Sequence, residues 1–359
     1  MPHLLVDISA HGFGHVSQTA PVVNALARLI PSLRVTIRTA APHTLLQQRF
    51  QCAFTHIPVA FDFGLTMASA VDVQVDESAA AYRAAHAGWE LRVQHEAQVM
   101  RALSPDLLFA NIPYLSLAAA QAAKVRSVGM CSLNWADIYR HYCVQKNFSA
   151  EIYAQILSAY NSAELFLQPQ PSMPMPNIAN TRRIGPIAKI GTNQRETILQ
   201  QLPLSANFEK LILVGMGGME FRLPMDQWPR FQGVHWLVPA AWNIAREDIG
   251  VFETLGLSFS DALASCDAVL TKPGYGTFAE AACAGIPLLS VIRRDWPEEP
   301  YLVGWLKQHG ICVEVERSSL ETGNLHETLQ QLWAIQPPPP QQATGAEEAA
   351  QLLRNLLLN

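Results

Sequence analysis

The chain has 359 residues, 49% of them apolar and 15% charged, with a formal net charge of −5. That length exceeds one ordinary core, so two domains are expected, and the mildly negative balance with dispersed basic residues argues against nucleic acid as the main partner. Six cysteines (Cys52, Cys131, Cys143, Cys266, Cys283 and Cys312) are scattered without a CxxC pair, as reduced core residues of a cytoplasmic protein would be. No apolar run approaches the ~20 residues of a membrane span; a soluble chain is expected, with peripheral membrane contact left open.

His3 to Ser9 (HLLVDIS) reads as a buried parallel strand. It runs into AHGFGH and then a helix whose apolar residues Val22, Val23, Leu26 and Leu29 recur at helical spacing. His11, Gly12, Phe13 and Gly14 therefore form a strand-to-helix turn. His15 begins the helix, whose positive end disfavours imidazolium and keeps the ring neutral, the form a general base needs. The alternative is a histidine that only bonds the turn backbone. Two glycines separate His11 from His15, so the pair does not share a helical face and zinc is not expected. Asp7 reads as a buried hydrogen-bonding residue.

Further strands are expected at Arg34 to Thr39, Cys52 to Val59, Asp106 to Asn111, Arg126 to Cys131 and, last in this half, Glu164 to Leu167. Helices are expected at Ser78 to Leu103 and Ser116 to Ala123, and Phe61 to Glu77 reads as a long functional loop. The prolines of PQPSMPMP and of Ile184-Gly185-Pro186 then break regular structure. This places domains at residues 1–186 and 187–345, with a leucine-rich helix at 346–359 packing back on the first.

The second half repeats the βα scheme. A strand at Lys210 to Gly215 ends in a glycine turn containing Gly217 and Gly218. Strands follow at Val234 to Val238, Ala268 to Thr271, Pro287 to Ile292 and Ile311 to Val315, with helices near Ser260 to Ala264 and at Tyr301 to His309. The most informative stretch is TKPGYGTFAEAACAGIPLL, from Thr271 to Leu289. Gly274 and Gly276 permit close backbone approach, and the first amides of the helix that follows point out of its positive end, a cradle for an anion. Lys272 either screens that anion or sits solvated at a strand end. Glu280 either closes a capping box with Thr277 or reaches a hydroxyl-rich ligand beside the phosphate. Arg293, Arg294 and Asp295 follow a strand's C-terminal end, where open α/β sheets place ligands, although a solvated charge cluster reads the same way.

Neither the P-loop nor the full GxGxxG fingerprint is present. No Asp-x-Asp occurs, so no metal is expected, and helix dipoles and basic side chains would stabilise a leaving nucleotide. The alternation throughout implies an α/β chain of two doubly wound, Rossmann-like domains facing a cleft.

HGFGH after the first strand, together with TFAEAACAGIPLL, resembles the glycosyltransferase-B fold and the C-terminal domain type shared with the N-acetylglucosaminyltransferase of peptidoglycan synthesis. HGFGH, KPGYGTFAEA and RRDWPEEPYL are similar over most of the chain to the N-terminal, glycosyltransferase-like half of plant L-arabinokinases. The kinase half has no counterpart here, so kinase activity is not expected. The resemblance implies a nucleoside diphosphate sugar such as a UDP-sugar as substrate, with no separate cofactor. It assigns the diphosphate to Gly274, Tyr275, Gly276 and Thr277, the ribose to Glu280 and the donor sugar to the segment around Glu298 and Glu299. Where the peptidoglycan enzyme has amide side chains, this chain has Glu299 and Pro300. It also favours His15 as the base of an inverting transfer to an acceptor that the sequence does not name. A nucleotide-sugar hydrolase or epimerase and a non-catalytic nucleotide-sugar binder remain as alternatives, and the sequence does not give the oligomeric state.

Overall fold

The computed structural model describes residues 1–62, 64–69, 72–144, 149–203, 207–217 and 222–358. The chain forms two compact units. The first comprises Met1–Ala68, Asp72–Ile187 and the stretch from Thr344 onward; Ala188–Ala343 forms the second.

In the first unit β1 (His3–Ile8), β2 (Arg34–Arg38), β3 (Thr55–Ile57), β4 (Leu107–Asn111), β5 (Ser127–Met130), β6 (Leu165–Pro169) and β7 (Thr181–Ile184) form one sheet in the order β3-β2-β1-β4-β5-β6-β7. Every pairing in it is parallel. β1 and β4 are buried along their whole length, as expected of apolar strands covered on both faces. The second unit holds β8 (Lys210–Gly215), β9 (Val234–Val238), β10 (Ile249–Val251), β11 (Ala268–Thr271), β12 (Leu288–Val291) and β13 (Cys312–Val315), in the order β10-β9-β8-β11-β12-β13 and again parallel. In both sheets the chain works outward on one side, then returns to the middle and works outward on the other. The reversal falls between β1 and β4 in the first sheet and between β8 and β11 in the second. Crevices at the carboxyl ends of such strand pairs are where doubly wound sheets bind ligands.

Three expectations for the first half change. The helix expected from Ser78 to Leu103 is two helices, Val75–His86 and Trp89–Leu103, because Gly88 takes a left-handed conformation at φ 69° and interrupts the helical hydrogen bonding. The strand Glu164 to Leu167 is not the last of its sheet, since β7 follows it and pairs in register from Phe166↔Thr181 to Pro169↔Ile184. The expected strand Cys52 to Val59 shortens to β3 (Thr55–Ile57). Two helices not expected from the sequence, Trp135–Cys143 and Ala150–Asn161, start at side-chain caps: Asn134 accepts from the Asp137 amide at 2.9 Å and Ser149 from the Ile152 amide at 3.3 Å.

The C-terminal helix Gly345–Leu358 packs on the Gly14–Leu29 helix of the first unit. It buries Ala346, Ala349, Ala350 and Leu353, its first amide donates to the Pro186 carbonyl at 3.0 Å, and Arg126 Nη1 donates to the Leu356 carbonyl at 2.6 Å.

Candidate functional site

The first unit places its candidate residues at the β1/β4 crevice. Beyond β1 the Ser9 amide donates to the Asn111 carbonyl at 2.8 Å, tying the two strand ends together. Gly12 turns the chain at φ 79°, a conformation that costs an L side chain strain, and its amide closes on the Ala10 carbonyl at 2.9 Å. The helix starts at Gly14 with Phe13 as an uncapped N-cap residue that is itself exposed. His15 is thus in the first turn, and it is buried.

His15 Nδ1 lies 2.9 Å from Asn111 Oδ1. The Asn111 amide nitrogen donates to Gln18 Oε1 at 3.2 Å, and Gln18 Nε2 donates to Ser132 Oγ at 2.9 Å. That network makes Asn111 Oδ1 the acceptor of its pair, so the proton is assigned to Nδ1 of His15 and the lone pair to Nε2. Burial holds the imidazole below its usual pKa, opposed by the bond to Asn111, so the ring is neutral at pH 7. His11 approaches the same Trp135 indole edge-on at 5.2 Å, while His15 lies 5.9 Å from it.

The sequence reading misses Asp62. This residue reaches the crevice from the loop after β3, where Oδ1 accepts from Ser9 Oγ at 2.7 Å and Oδ2 from Trp135 Nε1 at 3.1 Å. Burial raises its carboxyl to about 6 against those bonds. The available signal is a lone acid in the apolar run VAFDFGL. Gly64 packs the same loop against the turn: a Cβ there would fall 2.6 Å from His11 Cγ and 2.7 Å from Trp135 Cη2. Asp7 is buried, as expected, and takes both Nε (2.8 Å) and Nη2 (2.5 Å) of Arg38. Arg38 also pairs with Glu96 and lies 4.6 Å above the Phe61 ring, which steadies the residue before Asp62.

The second unit assembles the remaining residues at the β8/β11 crevice. Thr271 Oγ1 donates to the Gly215 carbonyl at 2.5 Å, joining the two strand ends. Gly217 is left-handed at φ 82°, and a Cβ on it would meet Lys272 Cε at 3.3 Å. Gly218 lies outside the described residues. The helix Tyr275–Ala284 has Gly274 as its N-cap residue with no side-chain cap. By helix geometry the amides from Gly274 to Thr277 have no acceptor inside the helix. Glu280 is the sixth residue of that helix, beyond the capping position, so the capping-box alternative does not form. It is buried, and Ser260 Oγ lies 3.4 Å from its Oε1.

Burial and the nearby Arg293 cation lower the Lys272 ammonium to about 8, against the pull of Glu298. Arg293 is buried with its guanidinium 4.2 Å from the centre of the Trp296 ring, and its amide donates to Glu299 Oε1 at 2.7 Å. Glu298 Oε2 accepts from Trp296 Nε1 at 3.2 Å. The fold therefore turns Arg293, Glu298 and Glu299 inward, with Arg293 and Glu298 beside Lys272. Arg294 points away, its side chain 76% exposed and paired with Glu316 at 2.5 Å; Asp295 is half-exposed, 3.9 Å from Arg293 Nε. Among the described residues no helix is long and apolar enough to cross a membrane.

No protein-family model matches the chain. It is 24% identical over 370 residues to an L-arabinokinase of Arabidopsis thaliana, a match covering 97% of this chain and 34% of the relative, so the chain spans about a third of that protein's length. Among solved structures it is similar to the glycosyltransferase of kitacinnamycin, with a TM-score of 0.64 at 14% identity over 99% of this chain and 100% of that one. It is also similar to UGT89C1 of Arabidopsis thaliana complexed with UDP, with a TM-score of 0.54 at 13% identity over 100% of this chain and 91% of that one. The strand orders of both units and these likenesses give the chain the glycosyltransferase-B fold.

Proposed function

We propose that the chain is a glycosyltransferase that takes a sugar from a nucleoside diphosphate donor bound by its second unit and passes it to an acceptor hydroxyl bound by its first. The observation that carries this reading is the uncapped helix start at Gly274 beside the half-buried Lys272, at the β8/β11 switch point. Aligned amides and one ammonium form a site for a diphosphate, and both favour the charge that builds on the leaving group. The UDP held by a structure of the same fold supports a uridine nucleotide here. Glu280 would accept hydrogen bonds from the ribose hydroxyls, while Arg293, Glu298 and Glu299 would face the donor sugar. Arg294 has no part in this reading.

In the transfer, the acceptor oxygen bonds to the anomeric carbon as the bond from that carbon to the β-phosphate oxygen breaks. The electron pair leaves on the diphosphate. The acceptor proton goes to Nε2 of His15, the nitrogen its network leaves with a lone pair, and attack opposite the leaving group inverts the anomeric centre. No step uses a metal. The test is turnover of UDP-sugars with a panel of hydroxylated acceptors, read as UDP release and product mass. Acceptor-dependent release is expected. Release at the same rate without acceptor would make the chain a hydrolase, and binding of donor without turnover on any acceptor would make it a non-catalytic binder.

A further inference from the structure

The first unit contains a cavity of about 230 Å³ whose lining includes Phe61, Asp62, Ala85, Trp89, Arg92 and Tyr114. Its volume lies below the ~300 Å³ at which sites for drug-sized molecules begin, so it suits a single ring. Three of its walls are aromatic. Trp89 and Tyr114 are buried with centroids 5.7 Å apart, and Phe61 is held from behind by Arg38. Trp89 is braced in turn by His86, stacked on it at 4.8 Å and bonded to the Tyr114 hydroxyl at 3.1 Å. These walls are preorganised, and they offer apolar contact to carbon and hydrogen rather than hydrogen bonds.

The polar part of the lining is a carboxylate and a guanidinium. Asp62 is engaged by Ser9 Oγ, Trp135 Nε1 and its own amide, three neutral donors. An ionised carboxylate has about four acceptor positions, so about one is left for a guest. Arg92 is steadied by donation from Nη1 to the Ala85 carbonyl. An ammonium entering beside Asp62 would meet Arg92, and a carboxylate entering beside Arg92 would meet Asp62. A hydroxyl group donates to the first and accepts from the second without adding charge to either.

We infer that this cavity binds one neutral, polyhydroxylated ring of monosaccharide size, with a hydroxyl donating to Asp62, another accepting from Arg92, and the carbon face against Trp89 and Tyr114. The inference rests on the glycosyl-transfer reading, whose acceptor it makes a free or terminal sugar. Asp62, whose partner Trp135 also lies against His15, then selects and orients the acceptor.

The experiment is a titration of the full chain, saturated with UDP, with D-glucose, D-galactose, D-xylose and L-arabinose to about 50 mM, the millimolar regime expected of so small a guest. Ligand-observed NMR and tryptophan fluorescence are the readouts. Cyclohexylamine and L-phenylalanine serve as the cationic and zwitterionic comparisons. Saturation by at least one sugar is expected, weakened about tenfold or more by Asp62→Asn and by Arg92→Gln, with UDP affinity unchanged in both variants. Arg92→Gln keeps the test decisive if the Asp62 variant does not fold. Saturation by the amine or the amino acid but by no sugar overturns the inference. So does a sugar whose affinity neither variant alters, or no saturation by any of them. UDP binding is measured separately in the same samples. UDP binding without sugar binding refutes the cavity assignment alone, whereas sugar binding without UDP binding refutes the donor reading alone.

Discussion

His15 and Asn111 meet at the β1/β4 switch point, Nδ1 to Oδ1 at 2.9 Å, and both are buried. The partner of this imidazole is an amide, which orients the ring and fixes its tautomer but supplies no negative charge to an imidazolium. The base form is therefore present above a pKa that burial has already lowered, and the rate should fall only as pH drops through that lowered value. Asn111→Asp puts a carboxylate on the same nitrogen and should raise the His15 pKa, moving the acid limb of the rate profile to higher pH. NMR titration of the imidazole checks this directly; an unchanged midpoint would show that the two side chains do not interact in solution.

Lys272 should make nucleotide binding sensitive to alkali. Its ammonium titrates near 8 in the free protein, and a diphosphate binds the charged form. Below that pH the cation is already present, and above it a proton must be taken up on binding. UDP affinity should thus be flat near pH 7 and fall towards about pH 9.5, by at most about tenfold per pH unit. Lys272→Met should remove this slope and cost ~1.5–3 kcal/mol at neutral pH. Calorimetry across the range decides, and a slope that persists in the variant would assign the titration to another group.

Gly217 should tolerate no side chain. Its φ of 82° is left-handed, and a Cβ would lie 3.3 Å from Lys272 Cε. Gly217→Ala should cost ~1–2 kcal/mol of stability from backbone strain and weaken UDP binding by displacing Lys272. Denaturant unfolding and a UDP titration read the two effects separately. Equal stability of the variant and the parent would mean that this turn relaxes.

Glu280 lies beyond the capping position of its helix and meets Ser260 instead. Glu280→Gln should weaken UDP by ~1–3 kcal/mol and a 2′,3′-dideoxy analogue much less if the acceptor it loses is the one proposed for the ribose hydroxyls. Equal losses for both nucleotides would assign Glu280 to the structure of the second unit.

The two glycine turns and their strand-to-helix placement are legible in the sequence because they are local: a buried strand, a glycine pair and a helical period lie within about twenty residues. Lys272 and the Gly274 helix start are legible for the same reason. The partners are not. Asn111 is 96 residues from His15, and Asp62 is 53 from Ser9 and 73 from Trp135; only the sheet order brings them together, and no periodicity encodes it. Local signals also fail to separate neighbours in one place. Arg293, Arg294 and Asp295 read alike, as a ligand frame or as a solvated charge cluster, yet Arg293 turns inward with Glu298 and Glu299 while Arg294 pairs with Glu316 at the surface. Trp296, buried beneath the Arg293 guanidinium, marks where the segment folds inward.

The central claim, that the Gly274 helix start holds the diphosphate of a nucleotide sugar, is tested most directly by calorimetric titration of UDP into the chain and into Gly276→Val. Gly276 is the second residue of the helix, in the turn whose amides are proposed to hold the diphosphate. The expected result is one site per chain in the parent and affinity lower by at least about a hundredfold in a variant of unchanged thermal stability. UDP bound equally by both, or by neither, would contradict it.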